Sequence, residues 1–75
     1  MDYLISYRNE QGVLSRIIAA LTARGIDVES IFGTSRLDPR VGHMCHVQFA
    51  ATEKHEQQLK RAWTAIIGVT EVKRI

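Results

Sequence analysis

The residues most able to do chemistry cluster at His43, Met44, Cys45 and His46. Adjacent side chains in a strand point to opposite faces, so Cys45 and His46 cannot easily share one ion. The chain holds a single cysteine, so no second thiolate stands at metal-ligand spacing. No metal site is expected. Cys45 lies in an apolar run with Val47 and Phe49, and a thiol in such surroundings is inert. Ser15 has no histidine in a neighbouring turn to serve as its base, and His43 and His46 are distant in sequence. Asp27 and Glu29 can share one strand face, but no second feature makes them an acid/base pair. No catalytic residue is expected, and the chain reads as a non-enzyme.

The more informative segment is Asn9-Glu10-Gln11-Gly12-Val13-Leu14. It is polar, then glycine, then apolar, as expected where a strand gives way to a helix. Gly12 permits close backbone approach. The amides of a first helical turn point outward with partial positive charge, which suits a carboxylate. Asn9 offers both a donor and an acceptor. The same residues also fit a plain turn with no ligand, and spacing alone leaves both readings open.

The elements that must hold this segment follow from periodicity. Tyr3, Ile5 and Tyr7 alternate with Leu4 and Ser6, which predicts a strand over residues 2–8. Leu14, Ile17, Ile18 and Leu21 then recur at helical spacing, with Val13 flanking the stripe. Arg24-Gly25 is a helix stop. Val28, Ile31 and Phe32 mark a second strand over 27–35, and Leu37 to Gly42, with Pro39, a hairpin connection. Cys45, Val47 and Phe49 alternate with Met44, His46 and Gln48 in a third strand over 43–51. Thr52 is a helix N-cap with Glu53 and Glu56 in the first turn. Leu59, Ala62, Trp63, Ile66 and Ile67 carry the second helix up to Gly68. Val69, Val72 and Ile75 mark a last strand. The order βαββαβ predicts an α+β, ferredoxin-like sandwich, a four-stranded antiparallel sheet with two helices on one face.

Composition narrows the classes further. The chain has 75 residues, 45% of them hydrophobic, and reads as one domain over 1–75. A core this small buries only about 60% of the unfolded surface, so association with a second copy through a free sheet edge is expected. Ten basic and eight acidic residues give a net charge of +2, with no clustered cations, so no nucleic-acid partner is expected. An RNA platform would need exposed aromatics on central strands, for which Phe32 and Phe49 are the candidates. No apolar stretch approaches the roughly 20 residues of a membrane helix, and no signal peptide is legible. A cytoplasmic protein without membrane partners is expected.

The run Arg8-Asn9-Glu10-Gln11-Gly12-Val13-Leu14-Ser15-Arg16-Ile17, followed by Arg24-Gly25-Ile26-Asp27-Val28-Glu29-Ser30-Ile31, resembles the start of an ACT domain. It is most similar to the regulatory small subunits of acetolactate synthase (acetohydroxyacid synthase). The resemblance implies the same βαββαβ fold and homodimers formed by sheet extension, with an amino acid such as valine held at the dimer interface. By position, Asn9, Glu10, Gln11, Gly12, Val13 and Leu14 would form the effector loop. Asp27 and Val28 would face it from the neighbouring subunit. The resemblance also implies a large catalytic partner subunit in branched-chain amino-acid biosynthesis. Thiamine diphosphate, Mg and FAD would reside in that subunit, and this chain would carry no cofactor. Two departures stand out. Valine-sensitive relatives usually have Asn where Asp27 stands, and many continue into a second domain. Binding of the catalytic subunit is therefore the firmer expectation than feedback inhibition. The alternative is a free-standing amino-acid-sensing module that regulates another enzyme.

Overall fold

The computed structural model describes residues 1–8, 10–34 and 43–75. The elements are β1 (Asp2–Tyr7), α1 (Val13–Thr22), β2 (Val28–Thr34), β3 (His43–Phe49), α2 (Glu53–Ala65) and β4 (Val69–Arg74). The strands form one sheet in the order β2-β3-β1-β4, and every neighbouring pair is antiparallel. This is the ferredoxin-like arrangement. The expected hairpin at Leu37 to Gly42 lies outside the described residues.

The core forms where the alternation of the central strands meets the helices. Tyr3 pairs with Val47 and Ile5 with Cys45, and all four side chains are buried with Tyr7 and Phe49. Val13, Ile17 and Leu21 of α1 and Leu59 and Trp63 of α2 close over them. Tyr3, Phe49 and Trp63 meet in a three-ring cluster, with centroids 5.5 to 5.8 Å apart. The indole Nε1–H of Trp63 donates to the Ile17 carbonyl at 3.0 Å, which ties α2 to α1 inside the core.

The buried face of α1 differs from the sequence expectation. Val13, Ile17 and Leu21 are buried, whereas Leu14 and Ile18 are 38% and 37% exposed. Positions 13/17 and 14/18 are neighbouring i, i+4 stripes, and α1 turns the first toward the sheet. The helix ends as its sequence suggested. Gly25 takes φ 66°, its amide donates to Thr22 O, and the Ile26 amide donates to Leu21 O. These two bonds make a Schellman turn, and Arg24 caps the same end through Ala20 O at 2.8 Å.

Thr52 caps α2, its hydroxyl accepting from the His55 amide at 3.2 Å. The other end of α2 corrects the expectation. The helix stops at Ala65, Ile66 is extended, and Ile67 is 77% exposed in the turn. The backbone turns early and places Gly68, φ 105°, beneath the start of α1. A continued helix would have carried residues 66 and 67 past that position.

Two irregularities reconcile apolar residues three apart with a strand period of two. Val28 and Ile31 both face the helices because the β2–β3 register shifts between Val28 and Ser30. Val69 and Val72 do so because the β1–β4 register shifts at Ser6/Tyr7. Each shift inserts one residue and returns the alternation to the buried face. Ile75 lies beyond β4 and is exposed.

β2 is the less covered edge. Ile31 is exposed on its helix-facing side, and a side chain added at Gly33 would meet nothing within 4 Å. On the opposite side Phe32 is 65% exposed.

The Trp63 bond gives a test of the core. Trp63→Phe removes the donor to Ile17 and leaves a void beside Tyr3 and Phe49. It is expected to lower stability by about 1–3 kcal/mol, read as a shift in the urea midpoint followed by circular dichroism.

Candidate effector-binding loop

β1 ends where the Arg8 amide donates to Gly68 O at 2.8 Å. Glu10 N is bonded to Arg8 O at 2.7 Å, and the two side chains form an exposed ion pair at 3.4 Å. Gly12 precedes α1 in the left-handed region, φ 84° and ψ −4°, a conformation that costs other residues strain. Its carbonyl opens the helical ladder by accepting from Arg16 N at 3.0 Å.

Among the described residues, no acceptor is paired with the amides of Leu14 and Ser15, and the first turn of α1 contains no acidic residue. The acidic residue at this end is Glu10, which precedes the helix and is paired with Arg8. The Arg16 guanidinium lies at the same end, with Cζ 3.8 Å from where a Gly12 side chain would begin. Amides with no acceptor among the described residues, a glycine and a cation beside it lie at this helix start, and a carboxylate is a small group suited to such donors.

The six predicted loop residues fare differently. Asn9 lies outside the described residues. Glu10 and Gln11 are exposed, Gly12 is half-buried, and Leu14 is partly exposed. Val13 is fully buried, so only its backbone can meet a ligand. Asp27 is exposed and Val28 half-buried, but a single chain does not bring them to the loop. Val28 pairs with Phe49, whereas Tyr7, next to the loop, pairs with His43. Six residues of strand, about 20 Å, separate the two ends. Sequence reasoning gave no site role to Arg16 or Gly68. The i, i+4 relation of Gly12 and Arg16 was the available signal for the first, and nothing local marked the second.

The far end of the sheet holds a hollow of about 450 Å³ bordered by Tyr3, Glu53, Glu56, Lys60 and Arg74. Its inner polar groups satisfy one another. The Tyr3 hydroxyl donates to Glu56 Oε2 at 2.7 Å, and Arg74 meets the same oxygen at 3.0 Å. This clamp fastens α2 to both β1 and β4. Burial, with the neighbouring Glu56 carboxylate, pushes the Tyr3 hydroxyl up to about 12.

The other candidate groups are held apart. Cys45 faces the core, and burial pushes its thiol up, away from the reactive thiolate. His46 lies on the opposite face, 3.7 Å from Asp2 Oδ1. Among the described residues no three His, Cys, Asp or Glu side chains gather as metal ligands. Phe49 is buried and Phe32 sits on the edge strand, so the described central strands present neither of the two phenylalanines.

Comparison with solved structures bears on the fold. The acetolactate synthase small subunit from Thermotoga maritima matches at a TM-score of 0.78 and 17% identity, over 96% of this chain and 44% of its own. The ACT domain from GTP pyrophosphokinase of Chlorobium tepidum matches at 0.80 and 16%, over 99% of this chain and 94% of its own.

The fold is that of an ACT domain.

The regulatory subunit of aspartate kinase from Thermus thermophilus, in ligand-free form, shares it at 0.66 and 18%, over 96% of this chain and 48% of its own. This chain therefore spans less than half the length of the synthase and kinase subunits. No protein-family model matches the sequence, and no curated protein matches it. No helix among the described residues is long and apolar enough to cross a membrane.

The Tyr3 clamp predicts a pH dependence. Its folded value of about 12 lies above the ordinary 10, so Tyr3 keeps its proton in the fold after the unfolded chain has lost it. The contribution is full below pH 10 and is lost as pH rises toward 12. Tyr3→Phe should flatten the fall in stability across that window, measured by urea unfolding at a series of pH values.

Proposed function

We propose that this chain is a non-catalytic regulatory ACT subunit of acetolactate synthase, binding a separate catalytic chain and sensing valine or a related amino acid. The observation that carries the reading is the loop. Amides of Leu14 and Ser15 that have no acceptor among the described residues, the approach at Gly12 and the Arg16 guanidinium beside it would together receive an α-carboxylate. The likeness to the acetolactate synthase small subunit supports the choice of enzyme. Thiamine diphosphate, Mg and FAD belong to the catalytic partner on this reading.

The proposed effector site is shared between two copies. The loop and Asp27 lie at opposite ends of one sheet, so one chain supplies only half of it. Antiparallel pairing of β2 with β2 of a second copy turns the partner strand around, which carries its starting end toward the loop end of the first sheet. The exposed Ile31, and the uncovered stripe of Leu14 and Ile18 on α1, provide apolar area for such a contact. Asp27 on the partner strand would then supply a carboxylate for the effector's ammonium.

The regulatory step is a shift between two states of the catalytic partner. An effector acts only through its different affinity for them.

A second reading is a sensor module serving another enzyme. The ACT domain of GTP pyrophosphokinase, whose match to this chain spans nearly the whole of both chains, favours it. A catalytic-chain assay separates the two. Adding this chain to the acetolactate synthase catalytic chain should raise activity several-fold, and valine should reverse the rise. Activation untouched by valine would make the chain an activator only, and no activation would favour the second reading.

Two substitutions test the site. Gly12→Asp places a carboxylate of the chain's own beside Arg16 and should abolish valine binding by calorimetry, with the circular dichroism spectrum retained. Ile31→Lys puts a charge on the free edge and should shift the sedimentation equilibrium from dimer to monomer.

A further inference from the structure

The α2–β4 turn meets both ends of the loop through Gly68. Gly68 is buried, and a Cβ there would stand 2.8 Å from Val13 Cγ2 and 3.5 Å from Glu10 Oε2. The first distance is shorter than van der Waals contact allows, so something must shift, and Val13 is a fully buried member of the core. The Gly68 carbonyl holds the other end of the loop through Arg8 N. One residue thus supports the loop at its entry, beneath Glu10 and at the first residue of α1. The remaining described glycines differ. Gly25 and Gly33 have nothing near, and Gly12 meets only the far end of the Arg16 side chain.

We propose that Gly68 is a positioning residue for the effector loop: the α2–β4 turn is its seat, and the absence of a side chain at 68 sets where the first turn of α1 presents its amides. This rests on the reading of the loop as the effector site, which it deepens. It also accounts for the early end of α2, since the backbone must leave the helix at Ile66 to bring a glycine with φ 105° under Val13.

The test compares Gly68→Ala, Val13→Ala and the double variant by amide hydrogen exchange, with the β2–β3 amides as an internal measure of the fold. Gly68→Ala should speed exchange at Glu10 to Arg16 by about tenfold or more and leave β2–β3 unchanged. The double variant removes the clashing methyl while keeping the backbone strain at 68. It should return the loop amides toward the rates of Val13→Ala alone. Changes confined to residues 66–70, or spread equally through β2–β3, would overturn the proposal, as would a double variant no better than the single. A valine titration distinguishes the underlying reading. If the unaltered chain binds valine, Gly68→Ala should weaken that binding by about tenfold or more. If the unaltered chain binds neither valine nor a related amino acid, the effector reading fails, while the exchange comparison still decides whether Gly68 seats the loop.

Discussion

The Trp63 side chain sets the spacing of the whole domain. Its ring closes the cluster with Tyr3 and Phe49, while its Nε1–H is spent on a main-chain carbonyl of α1. A buried indole needs a partner for its N–H, and the Ile17 carbonyl meets that need only at one separation and rotation of the two helices. That rotation decides which stripe of α1 faces the sheet. Val13 turns inward next to Gly68, and Leu14 and Ile18 turn outward. The contact near the helix middle thus fixes the rotation of α1, and the turn at Gly68 then meets its first residue.

Central elements were legible in the sequence because their constraint is local. In β1 and β3 each alternate residue is buried between a sheet and two helices, and the pattern Tyr3-Ile5-Tyr7 and Cys45-Val47-Phe49 repeats that environment directly. The Thr52 cap and the Gly25 stop were legible for the same reason, since each is completed within a few residues. The face of α1 was not. Apolar residues at 13, 14, 17, 18 and 21 make a band wider than one contact stripe, and the choice between its halves is made by α2, some 46 residues away. The end of α2 was misread for a related reason. Ile66 and Ile67 keep helical spacing, but the geometry that interrupts them belongs to a contact with α1.

The candidate site divides along the same line. Gly12 and the polar run before it carried a signal because a strand-to-helix turn is a local event. Val13 shared that run yet is a core residue. Arg16 and Gly68 reach the loop through the helical turn and through a contact 55 positions distant in sequence, and neither relation is visible in a linear motif. A glycine at the end of an apolar helical pattern reads first as a helix stop. Only the spatial neighbour shows why a side chain is excluded as well.

The strand order adds a consequence for regulation. β1 lies at the centre of the sheet and β2 at its edge, so the loop leaving β1 and the residues opening β2 occupy opposite ends as well as different strands. No adjustment of loop conformation within one chain closes about 20 Å. On the proposed reading, ligand binding and association are then one equilibrium, because the ligand contacts both copies and is retained only by the pair. Such a ligand stabilises the dimer by mass action, and dilution of the dimer lowers the apparent affinity for the ligand. On that reading a small domain with a thin core gains from the arrangement, since the surface it leaves open at β2 would be the surface that completes the site.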